Sequence, residues 1–434
     1  MAEITHARVL RIAAPIVISN ATVPILGAVD TGVVGQLGEA APIGAVGMGA
    51  VILASLYWIF GFLRMGTTGL VAQAHGTGDV TEVSAGLMRA LIIAGAAGLA
   101  LIVLQLPLFA AAFWLSPASP EVEALTRDYL TIRIWGAPAT IALYALTGWL
   151  IALERTRAVL AVQLCMNGLN VVLDLLFVLG LGWGVQGVAV ATLIAELSGV
   201  ALALWLVRAA FADGLWRARS IFDRVRLATM ARVNGDIMIR SVLLQASFTS
   251  FLFLGAGQGD VQLAANQVLL QFLSITAFAL DGFAFAAESL VGQAVGAKSV
   301  RGLRRASIMT SQWGLGGAIL LGLGFFVGGP WIIDLMTTAE PVRESARHYL
   351  PWMIIAPLIG IASWMLDGIF IGATLTREMR NAMILSVAVY VLALLVLVPV
   401  LGNHGLWAAL MVLNATRGVT MARLYPRAEA KAAG

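Results

Sequence analysis

The chain has 434 residues, 60% of them hydrophobic and only 12% charged, with a mean hydropathy of +0.91 and a formal net charge of +4. A water-soluble domain of this length could not cover so much apolar surface with so few charges, so the expected solvent is a lipid bilayer. A transmembrane barrel is excluded too, because its alternating segments of about 10 residues are absent.

In chain order the apolar runs fall at 9–34, 44–72, 84–113, 126–153, 157–181 and 184–208, then at 230–255, 262–293, 303–335, 345–373, 379–401 and 404–422. Each is close to or beyond the roughly 20 residues a helix needs to cross the hydrocarbon core, and the longer ones imply tilt. The predicted fold is an all-α membrane protein with about twelve transmembrane helices. Met1 to Arg8 contains Glu3 and no small-residue cleavage site follows, so no cleavable signal is expected. Cys165 stands alone and cannot form an intrachain disulfide. His6, His75, His348 and His404 show no metal-ligand spacing, and no cofactor is implied.

Loop charges set the orientation. One group of connections carries Arg155 and Arg157; Arg217, Arg219, Arg224 and Arg226; Lys298, Arg301, Arg304 and Arg305; and Arg377 and Arg380. Arg8, Arg11, Arg423, Arg427 and Lys431 at the chain ends join them, whereas the opposite loops offer little beyond Arg127, Arg343 and Arg347. Both termini are therefore expected in the cytoplasm, in a multi-pass protein of a bacterial inner membrane. The basic excess is a topology signal, so nucleic acid is not an expected partner.

The strongest organisational signal is self-similarity at an offset of 220 residues. Leu70 to Gly76 (LVAQAHG) recurs as Leu290 to Gly296 (LVGQAVG), Tyr129-Leu130 as Tyr349-Leu350, Gly148 as Gly368, Arg157 as Arg377 and Gly182 as Gly402. Six spans per half imply a parallel repeat: two pseudo-symmetric six-helix bundles at 1–208 and 227–434, joined by a cytoplasmic linker at 209–226, with a cavity between them suited to alternating access.

The halves differ where chemistry is expected. Asp30 corresponds to Ser250, Asn170 to Tyr390, Asp174 to Leu394 and Thr192 to Val412, so the first half holds a carboxylate, amide and hydroxyl set that the second lacks. Asn170 and Asp174 are i, i+4 neighbours on one helix face. The orientation puts both, with Asp30, Thr192 and Tyr129, in the outer half of the membrane. Intramembrane acids face a cavity, a partner or a bound cation. Two of them close together are expected to share a proton, as a proton-coupling site requires, although the same hard oxygens suit sodium. Pro15 and Pro24 interrupt the helix that carries Asp30 and are either its hinge or a static kink. The second half has Asp236, Arg240, Asp281, Glu288 and Asp367, read as an ion-paired network closing the cytoplasmic side or as a second site touching cationic substrates. Asp236 and Arg240, at i, i+4, can pair within one helix. Arg64 and Arg133 are expected to neutralise nearby acids.

Gly182 to Gly187 matches a dinucleotide pattern but joins two spans without a strand, and Gly292 to Ser299 lacks the Gly-Lys pair of a phosphate loop. With no ATP site, the energy source is expected to be an ion gradient. No nucleophile–base set points to an enzyme.

On these residues the sequence resembles the multidrug and toxic-compound extrusion (MATE) family, and within it the DNA-damage-inducible F (DinF) branch, over almost the whole chain. The family pattern of an acid in the first helix, Asn-x-x-x-Asp in the fifth and a hydroxyl in the sixth matches Asp30, Asn170, Asp174 and Thr192. Pro15 falls at the family's bending proline and Tyr129 near its fourth-helix tyrosine. The resemblance implies a monomeric antiporter of organic, often cationic, compounds, with H+ better supported than Na+ as the coupling ion. It marks Asp367 as similar to an acid of the family's cation sites. A flippase for lipid-linked sugars is the alternative from the same superfamily, and it predicts basic residues lining the cavity.

Overall fold

A computed structural model describes residues 3–36, 38–116, 118–212 and 218–434, and the side chains of 25, 26, 28, 31 and 218 are not described. Twelve long helices run through the described residues: α1 His6–Gly35, α2 Ala40–Thr77, α3 Val80–Val103, α4 Pro120–Ala152, α5 Thr156–Gly180 and α6 Gly184–Leu206, followed by α7 Arg224–Ala256, α8 Asp260–Gly296, α9 Val300–Met336, α10 Glu340–Gly372, α11 Thr376–Leu401 and α12 Asn403–Ala433. Among the described residues α2 to α11 are each long and apolar enough to cross a membrane. Large apolar side chains such as Val327, Val400 and Trp114 stand about four-fifths exposed, at 81%, 79% and 82%. Such a surface is stable only against lipid.

Local sequence explains the irregularities. The run 84–113, expected as one span, is two helices, α3 and a short Gln105–Leu115, separated at Leu104. Pro107 has no N–H for the Val103 carbonyl and its ring would clash with it, so the first helix stops there. Pro138 acts the same way on Ile134, and α4 tightens to a 3-10 turn over Ile134–Gly136, directly after Arg133. The last turns of α5, Leu175–Gly180, are π-helical and begin immediately after Asp174.

The repeat read from sequence returns in backbone conformation. Residues with left-handed φ recur at the same 220-residue offset: Gly78 (78°) with Lys298 (51°), Glu154 (58°) with Thr374 (51°), and Gly182 (70°) with Gly402 (55°). N-caps recur as well. The Asp79 carboxylate accepts from Glu82 N at the start of α3, and the Ser299 hydroxyl from Gly302 N at the start of α9. The close approaches repeat too, since a Cβ on Gly148 would lie 2.4 Å from the Arg64 carbonyl oxygen and one on Gly368 2.4 Å from that of Ala284.

The chain forms two compact units. One comprises Ile18–Val71 and Asp79–Met230; the other Met1–Val17, Ala72–Gly78 and Ala231–Gly434. In the first, α3 packs on α4, α5 on α6 and α2 on α4, around a core that includes Tyr57, Phe109, Phe113, Tyr129 and Ile134. The short helix Ala218–Ile221 is held to α3 by Arg89, whose guanidinium donates to the Ser220 and Ile221 carbonyls and pairs with Glu82 at 2.6 Å. Arg217, expected in the linker, lies outside the described residues.

In the second unit α8 packs on α10, α11 on α12 and α9 on α10, around Phe251, Phe272, Phe325, Tyr390 and Trp407. The duplicated LVxQAxG segments meet here reciprocally. A Cβ on Gly76 would sit 2.2 Å from the Gln293 carbonyl oxygen, and one on Gly296 2.0 Å from that of Gln73, so only glycine permits the crossing. Gln73 donates to the Gly372 carbonyl at 2.8 Å, and Gln293 accepts from Arg8 at 3.0 Å. His348 and His404, far apart in sequence, also meet, Nε2 to Nε2 at 3.1 Å. The Trp352 indole N–H donates to His404 Nδ1 at 3.0 Å, which leaves His404 Nε2 as the donor to His348 when both rings are neutral.

Candidate functional site

Four residues singled out by the asymmetry of the repeat converge in the first unit. Asp30 comes from the last turns of α1, Asn170 and Asp174 from α5 and Thr192 from α6. Asn170 and Asp174 are fully buried and Asp30 is half-buried. Carboxylate oxygens accept and amide N–H groups donate, so the Asn170 amide is oriented with its nitrogen toward the acids. Its Nδ2 then lies 3.0 Å from Asp30 Oδ1 and 3.1 Å from Asp174 Oδ2, while its Oδ1 accepts from the Thr192 hydroxyl at 3.0 Å. One amide group thus bridges the Asp30 and Asp174 carboxyl groups. The other Asp174 oxygen, Oδ1, is buried without a partner among the described residues. The i, i+4 spacing puts the amide and the acid of α5 on one face, and the π turn after Asp174 alters the helix where the acid is presented.

Beside this set lies an ion pair that sequence reasoning half missed. Arg133 of α4 donates two parallel bonds to Glu196 of α6, at 2.6 and 2.8 Å. Both side chains are largely buried, at 7% and 12% exposure. Arg133 was expected to neutralise an acid, but Glu196 was not named, although it follows Thr192 by one helical turn and shares its face. Tyr129 is buried one turn before Arg133, on the same helix face. Gly49 of α2 makes room for its ring, since a Cβ there would lie 2.4 Å from the Tyr129 Cδ1. Arg64, half-buried, holds interactions of its own.

A cleft of about 980 Å3 opens in the same unit, where the start of α4 meets the α5–α6 turn. Glu39, Glu121 and Asp128 line it, with Gln186 donating to Asp128 at 3.2 Å. Asp128 directly precedes Tyr129 in α4, while Asp30, Asn170, Asp174 and Thr192 are not among the residues that line the cleft.

The hinge candidates lie where α1 changes company. Pro15 is buried and Pro24 exposed, and α1 continues through both. The chain passes from one unit to the other between Val17 and Ile18, two residues beyond Pro15.

In the second unit Asp236 and Arg240 each take a partner from another helix. Asp236 and Arg240 do not pair with each other. Asp236 pairs with Arg380 at 2.6 Å and accepts from the Thr376 hydroxyl at 3.2 Å, while Arg240 pairs with Asp367. A local i, i+4 pair contributes only about 0.3–0.5 kcal/mol, whereas partners on neighbouring helices satisfy groups that are already desolvated. Asp367 holds a second guanidinium, that of Arg417 of α12, which the sequence reading did not single out. The acid that the resemblance likens to a cation site is thus already bound by two cations. Asp281, half-buried, and Glu288, buried, stand on α8, each with interactions of its own.

The MatE family profile matches two successive segments, residues 15–176 and 237–398. DNA damage-inducible protein F of Escherichia coli is 38% identical over 96% of this chain and 91% of its own length. A probable multidrug resistance protein NorM of Rhizobium meliloti is 28% identical over 83% of this chain and 79% of its own. Among solved structures, a mutant of the Vibrio cholerae MATE transporter VcmN superposes with a TM-score of 0.87 at 21% identity, covering 98% of this chain and 96% of that one. The chain belongs to the MatE family and is a multi-pass membrane transporter of small molecules, not an enzyme.

Proposed function

We propose that this protein exports organic, amphipathic small molecules in exchange for protons, by alternating access between the bundles 1–208 and 227–434, with the linker 209–226 and both termini in the cytoplasm of a bacterial inner membrane. Its cargo class follows the multidrug-resistance name of the NorM relative and is an argument from kinship.

The observation that carries proton coupling is the bridging of the Asp30 and Asp174 carboxyl groups by one Asn170 amide group, 3.0 and 3.1 Å away. Two carboxylates held this close in a poorly hydrated place are costly to keep charged together, so a proton shared between them relieves the repulsion. Cargo binding in the unprotonated state, and release once a proton has entered from outside, then gives antiport. The proton changes the charge of α1 within a few turns of Pro24, and bending at Pro15 or Pro24 would carry that change to the end of the helix that belongs to the other unit.

Proteoliposomes preloaded with an amphipathic dye provide the test. A proton gradient, acid on the side that receives the dye, should drive dye efflux without sodium on either side. Efflux driven by a sodium gradient at uniform pH, and not by the proton gradient, would overturn proton coupling.

A further inference from the structure

We propose that Arg240, Asp367 and Arg417 form a binding site for the anionic headgroup of an amphipathic ligand, a carboxylate or sulfonate on an apolar body. This deepens the export reading by naming a cargo class, and it rests on that reading only in calling the ligand cargo. It runs opposite to the cationic cargo that the family resemblance implies.

The three side chains come from α7, α10 and α12 and are nearly inaccessible, at 8%, 8% and 2% exposure. Both guanidinium groups donate to the same carboxylate oxygen, Asp367 Oδ2. Asp367 Oδ1, Arg240 Nε and Arg417 Nε are all buried and lack hydrogen-bond partners among the described residues. The charged neighbours acting on Arg417 are Asp367 and Arg240. Two fixed positive charges therefore share one negative charge, and the cluster carries a surplus of one cation.

Such a surplus is costly in a membrane interior unless an opposite charge meets it. A third cation would increase it, so neither sodium nor a cationic cargo suits Asp367. An anion relieves it, and the two unpartnered Nε–H groups are donors of the kind that recognise carboxylate and sulfonate oxygens. An apolar body suits the surroundings. Buried Met421 follows Arg417 by one turn on the same helix face. Methionine adapts its shape to varied apolar ligands.

The test uses purified full-length protein in phosphatidylcholine nanodiscs, with no ion gradient, titrated with a dansyl-labelled undecanoate and with its methyl ester. The acid should bind saturably, and the ester about tenfold more weakly or worse, as the loss of charge-assisted hydrogen bonds predicts. Arg417→Gln should weaken acid binding by a similar factor. Asp367→Asn removes the internal competitor for both arginines and should tighten acid binding severalfold, a gain that misfolding cannot imitate. Equal binding of acid and ester, or an Asp367→Asn protein that binds the acid more weakly than wild type, would overturn the proposal. If the probe binds in phosphatidylcholine but is displaced whenever phosphatidylglycerol is present, the cluster is a lipid-headgroup site and the cargo assignment fails. Failure of the export reading would register differently, as absent gradient-driven efflux with probe binding intact.

Discussion

Asp30→Asn should reduce gradient-driven efflux to the level of empty vesicles while leaving the protein folded in the membrane. Asparagine keeps the size of the side chain and removes the ability to carry the coupling charge. The neighbours remain: Asn170 still reaches Asp174, and Thr192 still donates to Asn170. Removing one of two adjacent carboxylates also removes a like-charge repulsion, so thermal stability in detergent should be unchanged or higher. Asp174→Asn should behave alike, because the two acids titrate as a pair and neither alone is the site. Wild-type efflux in both single variants and in the double variant would move the coupling site elsewhere.

The second large effect concerns stability. Glu196→Gln leaves the buried Arg133 guanidinium without its counter-charge, a loss of about 3–5 kcal/mol for a buried pair broken on one side. Replacing both partners, Arg133→Met with Glu196→Leu, should restore much of that stability, since an apolar pair of similar volume carries no desolvation cost. Thermal unfolding in detergent of the two single variants and the double variant measures this coupling. A Glu196→Gln protein as stable as wild type would show that the pair is solvated and contributes little.

Much of the fold could be read from the chain because lipid makes composition decisive. Apolar runs of the required length, and glycines at matching positions such as Gly148 and Gly368, needed no knowledge of contacts. Left-handed backbone follows the same 220-residue offset, because a duplicated turn keeps its geometry: Glu154 and Thr374 share it without being glycine. What escaped was mostly proline chemistry within apolar runs, as at Pro107, which ends α3 near the middle of a stretch that reads as one span.

The candidate site in the first unit could be found because a repeat exposes its own exceptions. Asp30, Asn170, Asp174 and Thr192 each stand opposite a residue that cannot do the same chemistry. Partners across helices were harder. Glu196 carried a signal, one turn beyond Thr192, which was not used. Arg380 counted only as a loop charge, and Arg417 stood unremarked in a span of modest polarity, yet they pair with Asp236 and Asp367 respectively. Helical spacing says which residues of one helix share a face. It does not say which helix that face meets, so spacing offers a local pairing of Asp236 with Arg240 but not the two longer-range pairs that form.

The most direct measurement is proton release on substrate binding. Purified wild-type protein in a weakly buffered solution, with a pH-sensitive dye in the bulk, is mixed with an amphipathic substrate in the absence of any gradient. Exchange of cargo for a proton held between Asp30 and Asp174 predicts acidification of the bulk that saturates with substrate, vanishes in Asp30→Asn and is unaffected by sodium. Saturable substrate binding with no proton released, or release of equal size from Asp30→Asn, would contradict it.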